Sequence, residues 1–295
     1  MEFEFVSRIK ANRQDGAIFG GYLFSFDHRG EVTVYETASL GKSIDGEAEP
    51  FAEFVLDKNE IIKPHSNSVM FGNEYYDEAD EFPFLYTNIY NNCADLPDKL
   101  KGVCLVYRLQ KNGRSFSSTL VQLIEIGFVE NENLWKSPGE KADVRPYGNF
   151  TIDTRRGVYY AFTMRDNANS TRYFSFKLPK VTDGEFCKEY NAKKVVLNGT
   201  DILDFFDCEY HRYIQGACFK NGRIYSLEGF TDSVCNPPAM RVIDTVKKKQ
   251  ICFIRFKDYG LSIEPEMIDF EGDTCYYTDH NGNVYNLVNI LNDTE

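Results

Sequence analysis

Apolar and polar positions alternate along this chain in short strand-length stretches, and five of those stretches share one form. Each opens on Asp, Asn, Gln or Glu, continues as an apolar strand, turns, and returns as an aromatic-rich strand. The openings are Asp15-Gly-Ala-Ile-Phe19, Asn67-Ser-Val-Met-Phe71, Asn149-Phe-Thr-Ile-Asp153, Gln215-Gly-Ala-Cys-Phe219 and Glu266-Met-Ile-Asp-Phe270. The returning strands cover 22–26, 84–89, 158–163, 223–227 and 274–279. A period of two with Phe, Tyr, Val and Ile predicts β-strands. No stretch sustains a helical period, and 201–206 reads at most as one helical turn.

Turn chemistry supports the same division. Lys220-Asn221-Gly222, Glu271-Gly272-Asp273 and the 154–157 segment join first to second strands. His28-Arg29-Gly30 and His280-Asn281-Gly282 join second to third. Gly and Asn supply the positive φ that tight hairpins require. Third strands follow at 31–36, 104–109, 173–178, 241–246 and 283–288, and fourth strands at 51–56, 120–126, 193–198 and 250–256. The fifth copy runs out before a fourth strand, and the unassigned strand at 3–9 fills that place.

An open ring of sheets would expose two edges, and pairing the N-terminal strand with the last sheet removes both. The expected architecture is therefore all-β: a five-bladed β-propeller with four antiparallel strands per blade, the last closed by the N-terminal strand. It forms one domain over 1–295, with the closing strand at 1–10. The blades cover about 13–57, 65–127, 147–198, 213–257 and 264–290. Spacings of 52, 82, 66 and 51 residues between the polar openings fit a repeat with loop insertions. A β-sandwich gives no reason for that opening to recur.

Composition narrows the partners. The 295 residues carry 33 basic and 45 acidic side chains, a net charge of −12. That balance argues against nucleic acid and against an anionic membrane surface, both of which select a basic footprint. No run approaches a membrane span, and 1–10 lacks the basic start and apolar core of a signal peptide. Eight cysteines form no C-x-x-C pair, so reduced thiols in a cytoplasmic protein are expected and a structural zinc knot is not.

In such a ring the first strand of each blade is innermost, so Asp15, Asn67, Asn149, Gln215 and Glu266 meet at the mouth of the central channel. Gln14, His65 and Glu264 reach the same rim. The long loops on that face bring Trp135, Tyr147, Tyr210, His211 and Tyr213, an aromatic wall suited to a sugar or another polar molecule. Asp15 and Glu266 belong to adjacent blades across the closure and are the candidate acid and base, with glycoside hydrolysis as one chemistry they would serve. With the amide oxygens of Asn67, Asn149 and Gln215 they also offer hard ligands for a divalent cation such as calcium. The acidic run at 74–81 belongs to the opposite face and reads as a solvated loop.

Gln215-Gly-Ala at a blade start and Glu264-Pro-Glu266 before an apolar strand resemble blade-start motifs of the plant and bacterial glutaminyl-peptide cyclotransferases, which are five-bladed propellers. That resemblance implies Glu266 as the proton-transfer group, with Gln215 and Asn149 binding substrate. The family's Glu-Gly-Trp-Gly run is absent. The expectation is a propeller that binds a polar small molecule, glycan or peptide at its funnel. The alternatives are an enzyme working through Asp15 and Glu266, or a protein-interaction scaffold.

Overall fold

The computed structural model describes residues 1–42, 46–62, 64–89, 103–126, 149–163, 171–209, 213–230 and 236–290. Its strands fall into five sheets. In chain order they begin with β1 (Glu2–Arg8), followed by β2 (Gly16–Phe19), β3 (Tyr22–Phe26), β4 (Glu31–Glu36) and β5 (Ala52–Val55), which make blade 1. Blade 2 holds β6 (Val69–Phe71), β7 (Leu85–Asn88), β8 (Val103–Asn112) and β9 (Ser115–Ile126). Blade 3 starts with β10 (Phe150–Asp153), β11 (Val158–Thr163) and β12 (Thr171–Lys177). Next come β13 (Glu185–Cys187), β14 (Ala192–Leu197) and β15 (Ile202–Cys208). Blade 4 is β16 (Ile214–Lys220), β17 (Arg223–Glu228), β18 (Ala239–Asp244) and β19 (Lys249–Arg255). Blade 5 is β20 (Pro265–Glu271), β21 (Thr274–Asp279), β22 (Asn283–Val288) and the returning β1.

Innermost strands touch in a closed circuit, β2 to β6, β6 to β10, β10 to β16, β16 to β20 and β20 to β2. The molecule is a five-bladed β-propeller. Strand β1 closes it in antiparallel register with β22, from Glu2 opposite Val288 to Arg8 opposite Asn283. Phe3 on β1 packs edge-on against Phe256 and Tyr277 at 5.2 and 5.6 Å. The far edge of β1 bonds to blade 1, where Arg8 N donates to the Gly46 carbonyl and Ala48 N to the Arg8 carbonyl, both at 2.7 Å.

Both faces of each blade are apolar because each is covered by a neighbouring blade. Along β3, Leu23 turns toward Met267 and Val284 of blade 5, whereas Phe24 and Phe26 turn toward Val69 and Leu85 of blade 2. Successive side chains on a strand point to opposite faces, so one strand feeds two cores. Similar apolar layers lie between blades 2 and 3, 3 and 4, and 4 and 5. The hairpin joining β16 to β17 turns on Asn221 and Gly222, with φ of 50° and 79°. That is the doubly left-handed geometry of a two-residue turn.

One segment departs from expectation. The stretch 193–198, expected to be the fourth strand of blade 3, is β14, and it joins blade 2 instead. There it pairs in parallel with β9, Lys193 opposite Gln122 through Leu197 opposite Ile126, and carries β13 outside it. The β8–β9 hairpin is long, and its outer edge offers unpaired backbone that β14 satisfies. The fourth strand of blade 3 is β15, which includes most of the stretch read as a helical turn; only Gly199–Asp201 forms a 3₁₀ turn. Arg172 clamps Asp207 at 2.7 and 2.8 Å, and Phe206 stacks on Tyr173 at 5.2 Å, fixing β15 against β12. The acidic run also differs from a freely solvated loop. Asp80 takes Arg108 in a two-point ion pair, and Glu81 takes Lys111 at 2.9 Å.

The innermost strands have no strand partner on their axial side, and neighbouring blades supply acceptors there. Ile18 N of blade 1 donates to Asp269 Oδ2 of blade 5 at 2.8 Å. Val69 N of blade 2 donates to Asp15 Oδ2 at 2.7 Å. Ile152 N of blade 3 donates to Met70 Sδ at 2.9 Å. Blades 4, 5 and 1 approach one another closely at Gly216. A Cβ there would lie 2.3 Å from the Glu266 carbonyl oxygen and 2.5 Å from Asp15 Oδ1.

Two consequences can be measured. Removing residues 1–10 exposes the edge of β22 and the Tyr277 core, and is expected to lower the urea midpoint sharply and broaden the transition; an unchanged midpoint would contradict closure by β1. Gly216→Ala is expected to cost about 1–3 kcal/mol, the range for overpacking a tight site, measured by chemical denaturation.

Candidate functional site between blades 4 and 5

All five blade-opening residues are buried: Asp15 and Glu266 are each 1% exposed, Asn67 2%, Asn149 0% and Gln215 7%. Their side chains are employed differently. Asp15 uses Oδ2 to hold blade 2, while its Oδ1 stands against Gly216 without a hydrogen-bond partner. Asn67 Oδ1 accepts from Asn88 Nδ2 at 2.6 Å, and Asn67 Nδ2 reaches across to the Ile214 carbonyl at 3.4 Å. Among the described residues, neither carboxamide atom of Asn149 has a hydrogen-bond partner. Gln215 Nε2 donates to Glu264 Oε1 at 2.7 Å and to the Gly229 carbonyl at 3.3 Å. Glu266 Oε1 meets His280 Nδ1 at 2.7 Å.

Two irregularities aim this last pair of openings. Between β16 and β17 the register passes from Ile214 opposite Glu228 to Ala217 opposite Ser226, so the Gln215-Gly216 step carries one extra residue. Between β20 and β21 it passes from Pro265 opposite Asp279 to Met267 opposite Thr278, so Glu266 is itself the extra residue. A bulge bends the strand and redirects the side chain it carries. Blades 1 and 3 pair regularly from their first residues.

The bulges bring together Gln215, Glu264, Glu266 and His280. Within this cluster, Glu264, Glu266 and His280 offer ligand atoms that all lie within 4.8 Å of one another. His280 sits in the β21–β22 turn, where Asp279 Oδ1 accepts from the backbone N of Asn281 and of Asn283, both at 3.0 Å. Its backbone N donates to the Glu264 carbonyl at 2.9 Å, which sets it beside that residue. The Glu266 side chain is 2% exposed and that of His280 36%, so the pair spans the boundary between protein interior and solvent. Burial pushes Glu266 well above the usual carboxylate range, and the neighbouring acids Glu264 and Asp279 push the same way. Burial likewise raises Glu264, against the opposing pull of His280 and the Gln215 hydrogen bond.

Next to this cluster stand Tyr213 and Phe230, 42% and 37% exposed, with ring centroids 4.4 Å apart. Gly229 joins them to the cluster: its N donates to the Tyr213 carbonyl at 3.0 Å, and its carbonyl accepts from Gln215. On blades 1 and 2, Gln14 Oε1 contacts His65 Nε2 at 3.0 Å, and His28 lies 6.4 Å from His65, ring to ring. Burial lowers His65 to about 4, which keeps it neutral. Trp135, Tyr147, Tyr210 and His211 lie outside the described residues.

Sequence reasoning read His280 only as part of a turn and did not single out Phe230 or Asn88. A signal for His280 was present, because Asp27-His28-Arg29-Gly30 and Asp279-His280-Asn281-Gly282 occupy equivalent turns in blades 1 and 5. Asp27 holds its turn as Asp279 does, accepting from the N of Arg29 and of Glu31 at 2.8 Å each.

No protein-family model matches the chain, and none of the curated proteins does. Among solved structures, a glutaminyl cyclase from Myxococcus xanthus matches with a TM-score of 0.48 and 11% identity, over 96% of this chain and 97% of that one. The hydrazine synthase of Kuenenia stuttgartiensis matches with a TM-score of 0.41 and 9% identity, over 90% of this chain and 61% of that one. The computationally designed Ika8 protein matches with a TM-score of 0.36 and 9% identity, over 96% and 99%. The five-bladed ring itself rests on the strand pairing. Among the described residues no helix is long and apolar enough to cross a membrane. Cys104, Cys208, Cys218 and Cys275 are buried and in no disulfide.

Buried acids give the fold a signed pH dependence. Burial raises Asp269 to about 7, whereas an unfolded Asp titrates near ~3.9. Between those values the folded chain keeps a proton that the unfolded chain has lost, so stability falls as pH rises through the window. Asp15 and Glu266, both raised first by burial, act with the same sign. The melting temperature is expected to fall between about pH 5 and pH 8, and Asp269→Asn to flatten that profile. A melting temperature that climbs over this range would contradict the assignment.

Proposed function

We propose that the protein binds a small polar ligand, a sugar or the amine-bearing end of a peptide, at the channel mouth between blades 4 and 5. The observation that carries this reading is the half-open cluster of Gln215, Glu264, Glu266 and His280 beside the exposed Tyr213–Phe230 pair. Carboxylate and carboxamide oxygens accept hydrogen bonds from hydroxyl or amine groups, while an aromatic face covers an apolar ring. These site residues carry no Lys or Arg, which favours a donor-rich ligand over an anionic one. Asn149, fully buried and with both polar atoms unpaired among the described residues, supports a hydrogen-bonding guest or ordered water deeper in the channel, since buried polar groups are normally satisfied. Gln14 and His65 add polar groups on the blade 1–2 side of the same face.

A second reading is favoured by one contact. A carboxyl raised by burial and bonded to an imidazole at 2.7 Å is equipped to pass a proton, which would make Glu266 the acid–base group of a hydrolase or cyclotransferase-like enzyme. Asp15 serves this reading less directly, because one of its oxygens holds Val69 N.

The test is a thermal-shift and calorimetric screen of the full chain against sugars and N-terminal-Gln peptides in buffer containing EDTA. A ligand at 100 times its Kd adds about 2.7 kcal/mol of stability, and the melting temperature is expected to rise accordingly. Glu266→Gln and Gln215→Leu are expected to lose that rise. A panel that shifts nothing, or shifts the variants as much as the parent, removes the reading; turnover of a panel member would advance the second one.

A further inference from the structure

We propose that Glu264, Glu266 and His280 form a binding site for a divalent transition-metal ion of the zinc type. The inference rests on the placement of the ligand site at this mouth and names an occupant of it.

The geometry is the first support. One imidazole nitrogen and two carboxylate oxygens lie within 4.8 Å of one another. An ion bound tetrahedrally at about 2.0–2.2 Å needs its ligand atoms about 3.3–3.6 Å apart, so the widest of these separations would close by up to about 1.5 Å. Glu266 Oε1 and His280 Nδ1 already meet at 2.7 Å, and the ion would take the place of the proton between them.

The second support is charge. Glu266 is 1% exposed, shares the cluster with the second carboxyl of Glu264, and meets the His280 imidazole at 2.7 Å. Beside its carbonyl, across Gly216, stands Asp15 Oδ1, fully buried and without a partner. Carboxylates in so dry a place are costly unless a cation compensates them.

The remaining support comes from what surrounds the ligands. Gln215 Nε2 holds Glu264 at 2.7 Å, and the Asp279 turn holds His280. Outer partners of this kind fix ligand orientation in metal sites. The donor set also selects the ion. An imidazole nitrogen suits zinc, copper, iron or nickel, whereas calcium, magnesium and manganese prefer oxygen ligands. That differs from an all-oxygen calcium site built from the five blade openings, where Asn67 Oδ1 already takes Asn88. Three protein ligands leave a coordination position open for a polar ligand or water.

The test titrates the metal-stripped full chain with Zn2+, Mn2+, Ca2+ and Mg2+ by calorimetry, and counts retained ion by mass spectrometry after dialysis. One equivalent of Zn2+ is expected, with weaker binding of Ca2+ and Mg2+. His280→Ala is expected to weaken Zn2+ binding about 10-fold or more, and Glu264→Gln to weaken it too. Both residues are partly exposed, so circular dichroism of the two variants should match the parent. His28→Ala, in the equivalent turn of blade 1, is expected to bind Zn2+ as the parent does. No stoichiometric Zn2+, equal affinity for Ca2+, or Zn2+ retained in His280→Ala would overturn the proposal. Polar-ligand binding in EDTA without any Zn2+ binding removes the metal site alone. Zn2+ binding with no response to the sugars and peptides removes the polar-ligand reading alone.

Discussion

Everything near the axis of this molecule answers to one constraint: the innermost strand of each blade has a sheet partner on one side only. Backbone groups on the other side are cut off from water and must find acceptors. Blade 5 supplies Asp269 to blade 1, blade 1 supplies Asp15 to blade 2, and blade 2 supplies Met70 to blade 3. These contacts run in one rotational sense, so blades 1, 2 and 3 are each fastened by the one before. The recurring polar openings are in part a product of this fastening. Among the openings Asp15 does this: its carboxyl joins two blades, and burial raises its proton affinity.

Where blades 4 and 5 meet, the same constraint is met by irregular pairing. Both strands bulge at their opening residue, and Gly216 lets backbone approach backbone where a methyl group would collide. The bulges turn Gln215 and Glu266 toward Glu264 and His280 instead of leaving them aligned with the strand ladder. The carboxyls, carboxamide and imidazole that cluster therefore lie in one sector of the ring, although the sequence repeats around the whole of it.

This explains what the chain disclosed in advance. Turn glycines, paired strand patterns and the missing twentieth strand led to five blades and a closing N-terminus, because each is a local property of backbone or pleat. The fate of 193–198 was not local. Val195 and Leu197 suit any apolar interface, and the length of the β8–β9 hairpin decided which one they joined. Nor could Asp201 to Phe206 reveal itself as a strand, since its identity depends on Arg172 gripping Asp207 and Tyr173 stacking on Phe206. At the site, the blade openings were legible as a ring. Their division into a fastener such as Asp15 and a cluster member such as Glu266 depends on a one-residue register shift that no composition encodes. His280 was hidden for the opposite reason: its turn chemistry explained it completely, and a residue with one sufficient role attracts no second.

The closing strand also dictates an order of events. Glu2 finds its partner in Val288, so β1 lacks its sheet partner until nearly all of the remaining chain has been made. Contacts so distant in sequence form slowly, because the entropy of closing the loop is spent before any pairing rewards it. Until then blade 5 is a three-stranded sheet with a bare edge, and β20 and β21, which carry Glu266 and the His280 turn, belong to that unfinished blade. The candidate site thus lies on the part of the ring that is completed last.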